Sequence, residues 1–247
     1  MWHGDLGCIA GVCIVARPGG VIKGGGVFLW YIILMESGVE RRDIRRLLGV
    51  SLGEAGAAEP VAGSAVGLFG GSFYPPHGGH IMVAGEGLAR LGLDAVWLIP
   101  AFANPFKGDI DLPPVADRVR EVRAMLPADG NLFALDWEGR VGVSRTYESV
   151  SLLKDALPGV KFVLFAGADI LGEIHLWYRW RDLLGMVPLA VFDREPYTGR
   201  VMGGSDFIRE FGEFRTEDSG EVVDLDPPVW TLVRQPLSDL SGSKLRR

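Results

Sequence analysis

From Ser64 onward, short apolar runs alternate with stretches in which apolar residues recur every three or four positions. The runs Ser64–Phe69, Asp94–Pro100, Asn131–Trp137, Lys161–Ala166 and Val187–Phe192 are too short for helices and lack polar alternation, so they read as five strands buried on both faces. Between them, Ile81–Leu91, Val115–Leu126 and Thr146–Leu157 carry helical spacing. The first offers Ile81, Val83, Ala84, Leu88 and Leu91 to a core, and the third Val150, Leu152, Leu153 and Ala156. In the second, Arg118, Arg120 and Glu121 are expected to face outward. Strand–helix alternation of this length predicts an α/β fold with a doubly wound parallel sheet and helices on both faces. Ligands of such sheets sit beyond the carboxyl ends of the strands, at the switch point. The polar stretch Tyr197–Ser219 predicts a loop or a surface helix.

The first 63 residues follow a different pattern. Two apolar runs, Cys8–Ala16 and Val27–Met35, flank the glycine-rich stretch Arg17–Gly26. Each is shorter than the ~18–20 residues that span a bilayer. Asp5 stands where a secretory signal has a basic start, and no small-residue cleavage site follows. Glu36–Leu48 reads as a charged helix and Gly49–Gly63 as a loop. Residues 1–63 are therefore expected to be an extension outside the fold, disordered or upstream of a natural start at Met35 or later, with one domain over 64–247.

Composition narrows the function. A net charge of −6 over 247 residues gives no broad basic surface, which argues against nucleic acid as the main partner. Cys8 and Cys13 are the only cysteines, too few for a disulfide framework and without the second pair of a zinc site, which fits a reducing cytoplasm.

The chemistry concentrates after the first strand, in Gly67-Leu68-Phe69-Gly70-Gly71-Ser72-Phe73-Tyr74-Pro75-Pro76-His77-Gly78-Gly79-His80. A strand, a glycine-rich turn and a helix start in succession leave the first helical N–H groups without partners, and with the helix dipole these attract an anion. Gly70, Gly71, Gly78 and Gly79 permit close approach of a phosphate, and His77 and His80, three apart, can both donate to it. No Lys-Ser/Thr follows the glycines, and their spacing is not that of a dinucleotide fingerprint. Further groups stand at the ends of later strands. Lys107 closes the loop Pro100–Lys107, either solvated or on a phosphate. Thr146 and Ser149 open a helix, where hydroxyls satisfy free N–H groups. Asp169, in Gly167-Ala168-Asp169, is placed to be a ribose acceptor or a helix cap. Trp177 and Trp180, three apart on a helix, are core or a stacking face. Ser241, Ser243, Lys244 and Arg246 end the chain in a serine-rich turn suited to a polyphosphate.

The pattern G-G-S-F-x-P-P-H-x-G-H resembles the H-x-G-H signature of the nucleotidylyltransferases, and within them the nicotinate-nucleotide adenylyltransferase family; the likeness runs from Val66 to Arg246. It implies a Rossmann-like nucleotidylyltransferase fold and adenylyl transfer from ATP to nicotinate mononucleotide, with Mg²⁺ carried by the nucleotide and no protein ligands for it. It further implies that His77 and His80 are catalytic. ATP would meet Gly70, Gly71, Ser72, Phe73, Gly79, His80, Gly167, Asp169, Ser241, Ser243 and Arg246. The mononucleotide would meet Lys107, Thr146 and Trp177, with Asn104, Ser149 and Arg194 as looser matches. Three features depart from the family: Tyr74 replaces Asp or Asn, Gly242 replaces a serine, and relatives continue beyond the position of Arg247 for a further helix. They bear on catalytic efficiency rather than fold. The alternatives are an adenylyltransferase for the amidated nucleotide, or a nucleotide-binding protein that has lost catalysis. Phosphopantetheine enzymes carry Thr at the position of His77, and tRNA-charging enzymes with an H-x-G-H turn need room for an anticodon domain.

Overall fold

The computed structural model describes residues 41–102, 112–128, 130–194 and 196–234. Seven strands form one sheet: β1 (Ala65–Gly71), β2 (Ala95–Pro100), β3 (Leu132–Ala134), β4 (Lys161–Gly167), β5 (Leu189–Phe192), β6 (Arg215–Thr216) and β7 (Trp230–Val233). Their order is β3-β2-β1-β4-β5-β7-β6, and every pairing is parallel. The chain runs outward from β1 to β3, then crosses back to β4 on the other side of β1. The switch point therefore lies between the carboxyl ends of β1 and β4. The doubly wound α/β expectation holds.

Helices cover both faces. On one face, α2 (Gly78–Arg90) and α3 (Val115–Met125) pack over Val96, Leu98, Val163, Phe165 and Phe192. The other face holds α1 (Arg41–Ala55), α4 (Trp137–Val141), α5 (Thr146–Ala156), α6 (Trp180–Leu184), α7 (Tyr197–Met202) and α8 (Asp206–Phe211). Helix α2 lies close to the sheet because two glycines permit it. A Cβ on Gly67 would stand 2.6 Å from the ring of Phe165, and one on Gly87 would collide with the same ring. This close seating fixes where the first turn of α2 points.

Several expectations change. The helix expected to end at Leu48 starts at Arg41 and runs through Gly49 and Gly53 to Ala55. Ile44, Leu48 and Leu52 recur every fourth residue and are all buried against the core. Burying Leu52 outweighs the ~1 kcal/mol that each helical glycine costs relative to alanine. Gly56 then ends the helix at φ +72°, with Gly56 N–H bonded to Gly53 O and Ala57 N–H to Leu52 O. Arg41–Ala55 is thus part of the folded unit, not an extension outside it; residues 1–40, with Cys8, Cys13 and Met35, lie outside the described residues.

The third strand is short, because edge strand β3 pairs only with β2 and Trp137 opens α4 instead. Tyr197–Ser219, expected as a loop or a surface helix, contains the helices α7 and α8, and Phe207 and Phe211 bury α8 against Trp180 and Trp230. Strands β6 and β7 extend the sheet beyond the five read from sequence. Among the described residues no helix is long and apolar enough to cross a membrane.

Candidate active site

Strand β1 delivers the signature loop to the carboxyl edge of the sheet. Gly70 is exposed, and Gly71 and Ser72 are half-buried, as the loop turns toward α2. Phe73 takes a left-handed backbone, φ +44°, which a side chain tolerates only when packing enforces it. Its ring is 1 % exposed and lies 5.3 Å from Phe69 and 4.8 Å from the His80 ring. The Phe73 ring is therefore a plug beneath the loop, so a ligand can meet this residue only through its backbone. Tyr74 is half-buried in the same loop.

His77 caps α2 with extended backbone, and His80 stands at the third helical position. The His77 N–H donates to His80 Nδ1 at 3.2 Å, while the His80 N–H donates to the His77 carbonyl at 2.9 Å. The two rings stack with centroids 3.7 Å apart. Because Nδ1 of His80 accepts, the neutral ring carries its proton on Nε2. Burial, with Arg194 nearby, holds His77 below the usual histidine range, so it is neutral at pH 7. Gly79, between them, is buried at the first turn of α2.

Across the switch point, β4 ends at Gly167 and a one-turn 3-10 helix begins at Ala168. Asp169 Oδ2 accepts from Arg194 Nη1 at 2.8 Å, and its Oδ1 is buried without a partner among the described residues. Asp169 makes no cap bond, since Gly167 is the cap residue and no side chain bonds the free N–H groups. A Cβ on Gly167 would collide with Asp169 Oδ1, which explains the glycine. Arg194, just beyond β5, bonds Asp169 and acts electrostatically on His77. The loop after β1 and the ends of β4 and β5 thus converge on His77, Asp169 and Arg194.

Thr146 is the half-buried first residue of α5, on the carboxyl side of β3. No side chain caps this helix, contrary to the reading of its hydroxyls as caps. The Ser149 hydroxyl accepts from Trp137 Nε1 at 3.1 Å and donates to Glu138, so it is 3 % exposed and committed inside the protein. Trp177 and Trp180 do not share a helix. Trp177 follows a 3-10 turn (Ile174–Leu176) and is half-buried, whereas Trp180 begins α6 and packs on Phe211. The neighbours of Thr146 and Trp177 nevertheless meet: Tyr147 and Tyr178 pack edge to face, with Arg179 over Tyr147 at 4.4 Å and Arg145 over Tyr178 at 4.3 Å. Asn104, Lys107, Ser241, Gly242, Ser243, Lys244 and Arg246 lie outside the described residues.

Sequence reading missed a buried pair beside the site. Arg118 points inward and is 1 % exposed. It donates to three carbonyls: Pro113 at 2.9 Å, Ser72 at 2.8 Å and Ala101 at 2.7 Å. Its position was legible, because Val115, Arg118, Val119 and Val122 form one helical stripe, but its charge argued for solvent. Glu138 is buried beside it and accepts from the Phe102 N–H at 3.1 Å. Burial pushes its carboxyl up to about 7, opposed by the bonds from Phe102 and Ser149 and by the charge of Arg118.

The sequence and the fold resemble those of known proteins. Residues 68–247 match the cytidylyltransferase-like family. A protein of Mesorhizobium japonicum, named a probable nicotinate-nucleotide adenylyltransferase, is 35% identical over 188 residues, covering 75% of this chain and 95% of the relative. One of the same name from Rhizobium etli is 38% identical over 183 residues, 73% of this chain and 94% of the relative. The Plasmodium falciparum nicotinic acid mononucleotide adenylyltransferase complexed with NaAD shares the fold, with TM-score 0.55 and 18% identity over 74% of this chain and 82% of that one. With a family match over most of its length and near-complete coverage of relatives above 30% identity, the chain belongs to the nicotinate-nucleotide adenylyltransferase family of cytidylyltransferase-like proteins.

Proposed function

We propose that this protein transfers the adenylyl group of ATP to nicotinate mononucleotide, giving deamido-NAD and pyrophosphate. The observation that carries the reading is the stacked pair His77 and His80 at the head of α2, facing Asp169 and Arg194 across the switch point. A phosphate oxygen of the mononucleotide attacks the α-phosphorus of ATP. That P–O bond forms as the bond to the β-phosphate oxygen breaks, and pyrophosphate leaves with the electron pair. The acceptor oxygen is already anionic, so no general base is required. The work of the protein is alignment and stabilisation of charge.

His80 presents Nε2–H to the reacting phosphates, because its Nδ1 is engaged by the His77 amide. The positive end of the α2 dipole and the guanidinium of Arg194 add positive potential. Gly70, Gly71, Ser72 and Gly79 line the loop with backbone, and Phe73 contributes backbone alone. Asp169, held by Arg194 at the end of β4, accepts from the ribose of ATP. In this reading Thr146 and Trp177 hold the nicotinate, Lys107 the acceptor phosphate, and Ser241, Ser243 and Arg246 the β- and γ-phosphates. Mg²⁺ enters with the nucleotide as part of the substrate. Among the described residues no group of three or more His, Cys, Asp or Glu side chains is placed to hold a metal, and no step is assigned to one.

Replacing His80 with alanine removes the Nε2–H donor and is expected to lower kcat by roughly 10²-fold or more. Turnover within a few-fold of wild type would exclude His80 from the reaction centre.

A further inference from the structure

Buried charge is costly, and a protein gains nothing in packing from an arginine and a glutamate where valines line the same helix stripe. Arg118 nevertheless occupies such a position in α3, Glu138 is buried beside it in α4, and what they hold lies at the rim of the site. The Arg118 guanidinium binds the Ser72 carbonyl, in the signature loop just past β1. It binds the Ala101 carbonyl, just past β2, and the Pro113 carbonyl ahead of α3. Glu138 takes the next amide, the N–H of Phe102, and also receives the Ser149 hydroxyl from the first turn of α5. The Ala101 N–H donates in turn to the Gly71 carbonyl at 2.8 Å. Residues 101 and 102 are therefore fixed by carbonyl and amide together, and the end of β1, the end of β2 and the start of α5 share one polar anchor.

We propose that Arg118 and Glu138 are positioning residues for adenylyl transfer, locking the signature loop to the end of β2 and to the helix start at Thr146. The proposal rests on the function given above. Neither side chain needs to touch substrate; each acts through the backbone it holds. A planar guanidinium holds its donors in a rigid fork wide enough for three separate carbonyls, whereas an ammonium directs its three donors from one compact nitrogen. An ionised Glu138 makes charge-assisted bonds to the Phe102 amide and the Ser149 hydroxyl, and its protonation weakens that hold. The groups facing it are the Arg118 guanidinium from α3, the Ser149 hydroxyl from α5 and the Phe102 amide from the loop just past β2. Asp136, ahead of α4, acts on the same guanidinium, and Arg140 and Glu54 act on Asp136.

The test compares wild type, Arg118→Lys and Glu138→Gln in the full chain, with urea unfolding of each to show that it is folded. Steady-state pyrophosphate release is measured across pH, and binding of a non-hydrolysable ATP analogue by calorimetry. Arg118→Lys is expected to lower kcat at least about tenfold and to weaken the analogue, since misplacement by ~1 Å can cost about 10²-fold in rate. Glu138→Gln is expected to match wild type below about pH 6, where both side chains are neutral, and to lose the rise in kcat/KM that wild type shows through about pH 7. A folded Arg118→Lys protein with wild-type kcat and analogue affinity, or a Glu138→Gln protein that keeps the rise, overturns the proposal. Should wild type bind the analogue yet release no pyrophosphate with a mononucleotide, the transfer reading fails. The analogue affinities then decide the anchoring alone: weaker binding to Arg118→Lys supports it and equal binding overturns it.

Discussion

Glu138 makes folding stability depend on pH in a way that one isosteric substitution removes. Its carboxyl lies inside the protein between Phe102, Ser149 and Arg118, and burial raises it from 4.5 to about 7. The folded protein thus holds this proton more tightly than the unfolded chain does. The stability it contributes is complete below the unfolded value of 4.5 and is lost as pH rises through about 7. The full difference is about 2.5 pH units at 1.36 kcal/mol each, or about 3 kcal/mol, of which about 2 kcal/mol falls between about pH 5.5 and pH 8. The group is buried, so solvent screening takes little from this figure. Glu138→Gln keeps the shape and cannot ionise. Asp136, also raised by burial, is present in both proteins and cancels in the comparison. Urea unfolding of wild type and Glu138→Gln across this range should show wild type losing about 2 kcal/mol relative to the variant as pH rises. Parallel curves, or a wild type that gains on the variant at high pH, would refute the argument that Glu138 is neutralised by burial.

Two further substitutions test the packing that carries the site. Leu52→Ala should destabilise the protein by about 2–5 kcal/mol in urea unfolding, because the side chain is 2 % exposed in the main core; a change near zero would return Arg41–Ala55 to the status of an appendage. Gly87→Ala drives a methyl group into the Phe165 ring and should cost about 1–3 kcal/mol from overpacking, less up to ~1 kcal/mol of helix propensity, while displacing α2 and lowering turnover. Adding Phe165→Leu should recover part of both losses, and failure to do so would show that close seating of α2 is not what the glycine provides.

The central fold was legible because parallel strands buried on both faces write themselves as unbroken apolar runs, as in Lys161–Gly167, and Gly-rich turns mark their ends. Edge elements were less legible. β6 and β7 are short and pair on few residues, and α1 contains two glycines whose local preference is overridden by the burial of Leu52. At the site, His77, His80 and Asp169 were visible as chemistry at strand ends, and the structure brings them together through Arg194. Arg118 and Glu138 were not, because a charged residue is ordinarily assigned to solvent, even in an apolar stripe such as that of Arg118 in α3. Only the three-dimensional meeting of Ser72, Ala101, Phe102 and Pro113 supplies the partners that make their burial tolerable. Trp177 and Trp180 failed as a helical pair for a related reason. Arg179 between them takes a left-handed backbone, φ +53°, and that ends the regular spacing.

The most direct measurement is pyrophosphate release from ATP and Mg²⁺, with nicotinate mononucleotide and its amide tested in parallel on the full chain. Release with the nicotinate form, and much less with the amide, is the predicted result. ATP binding without release from either mononucleotide would contradict adenylyl transfer and leave a nucleotide-binding protein that has lost its chemistry, with Tyr74→Asp as the substitution to examine for its return.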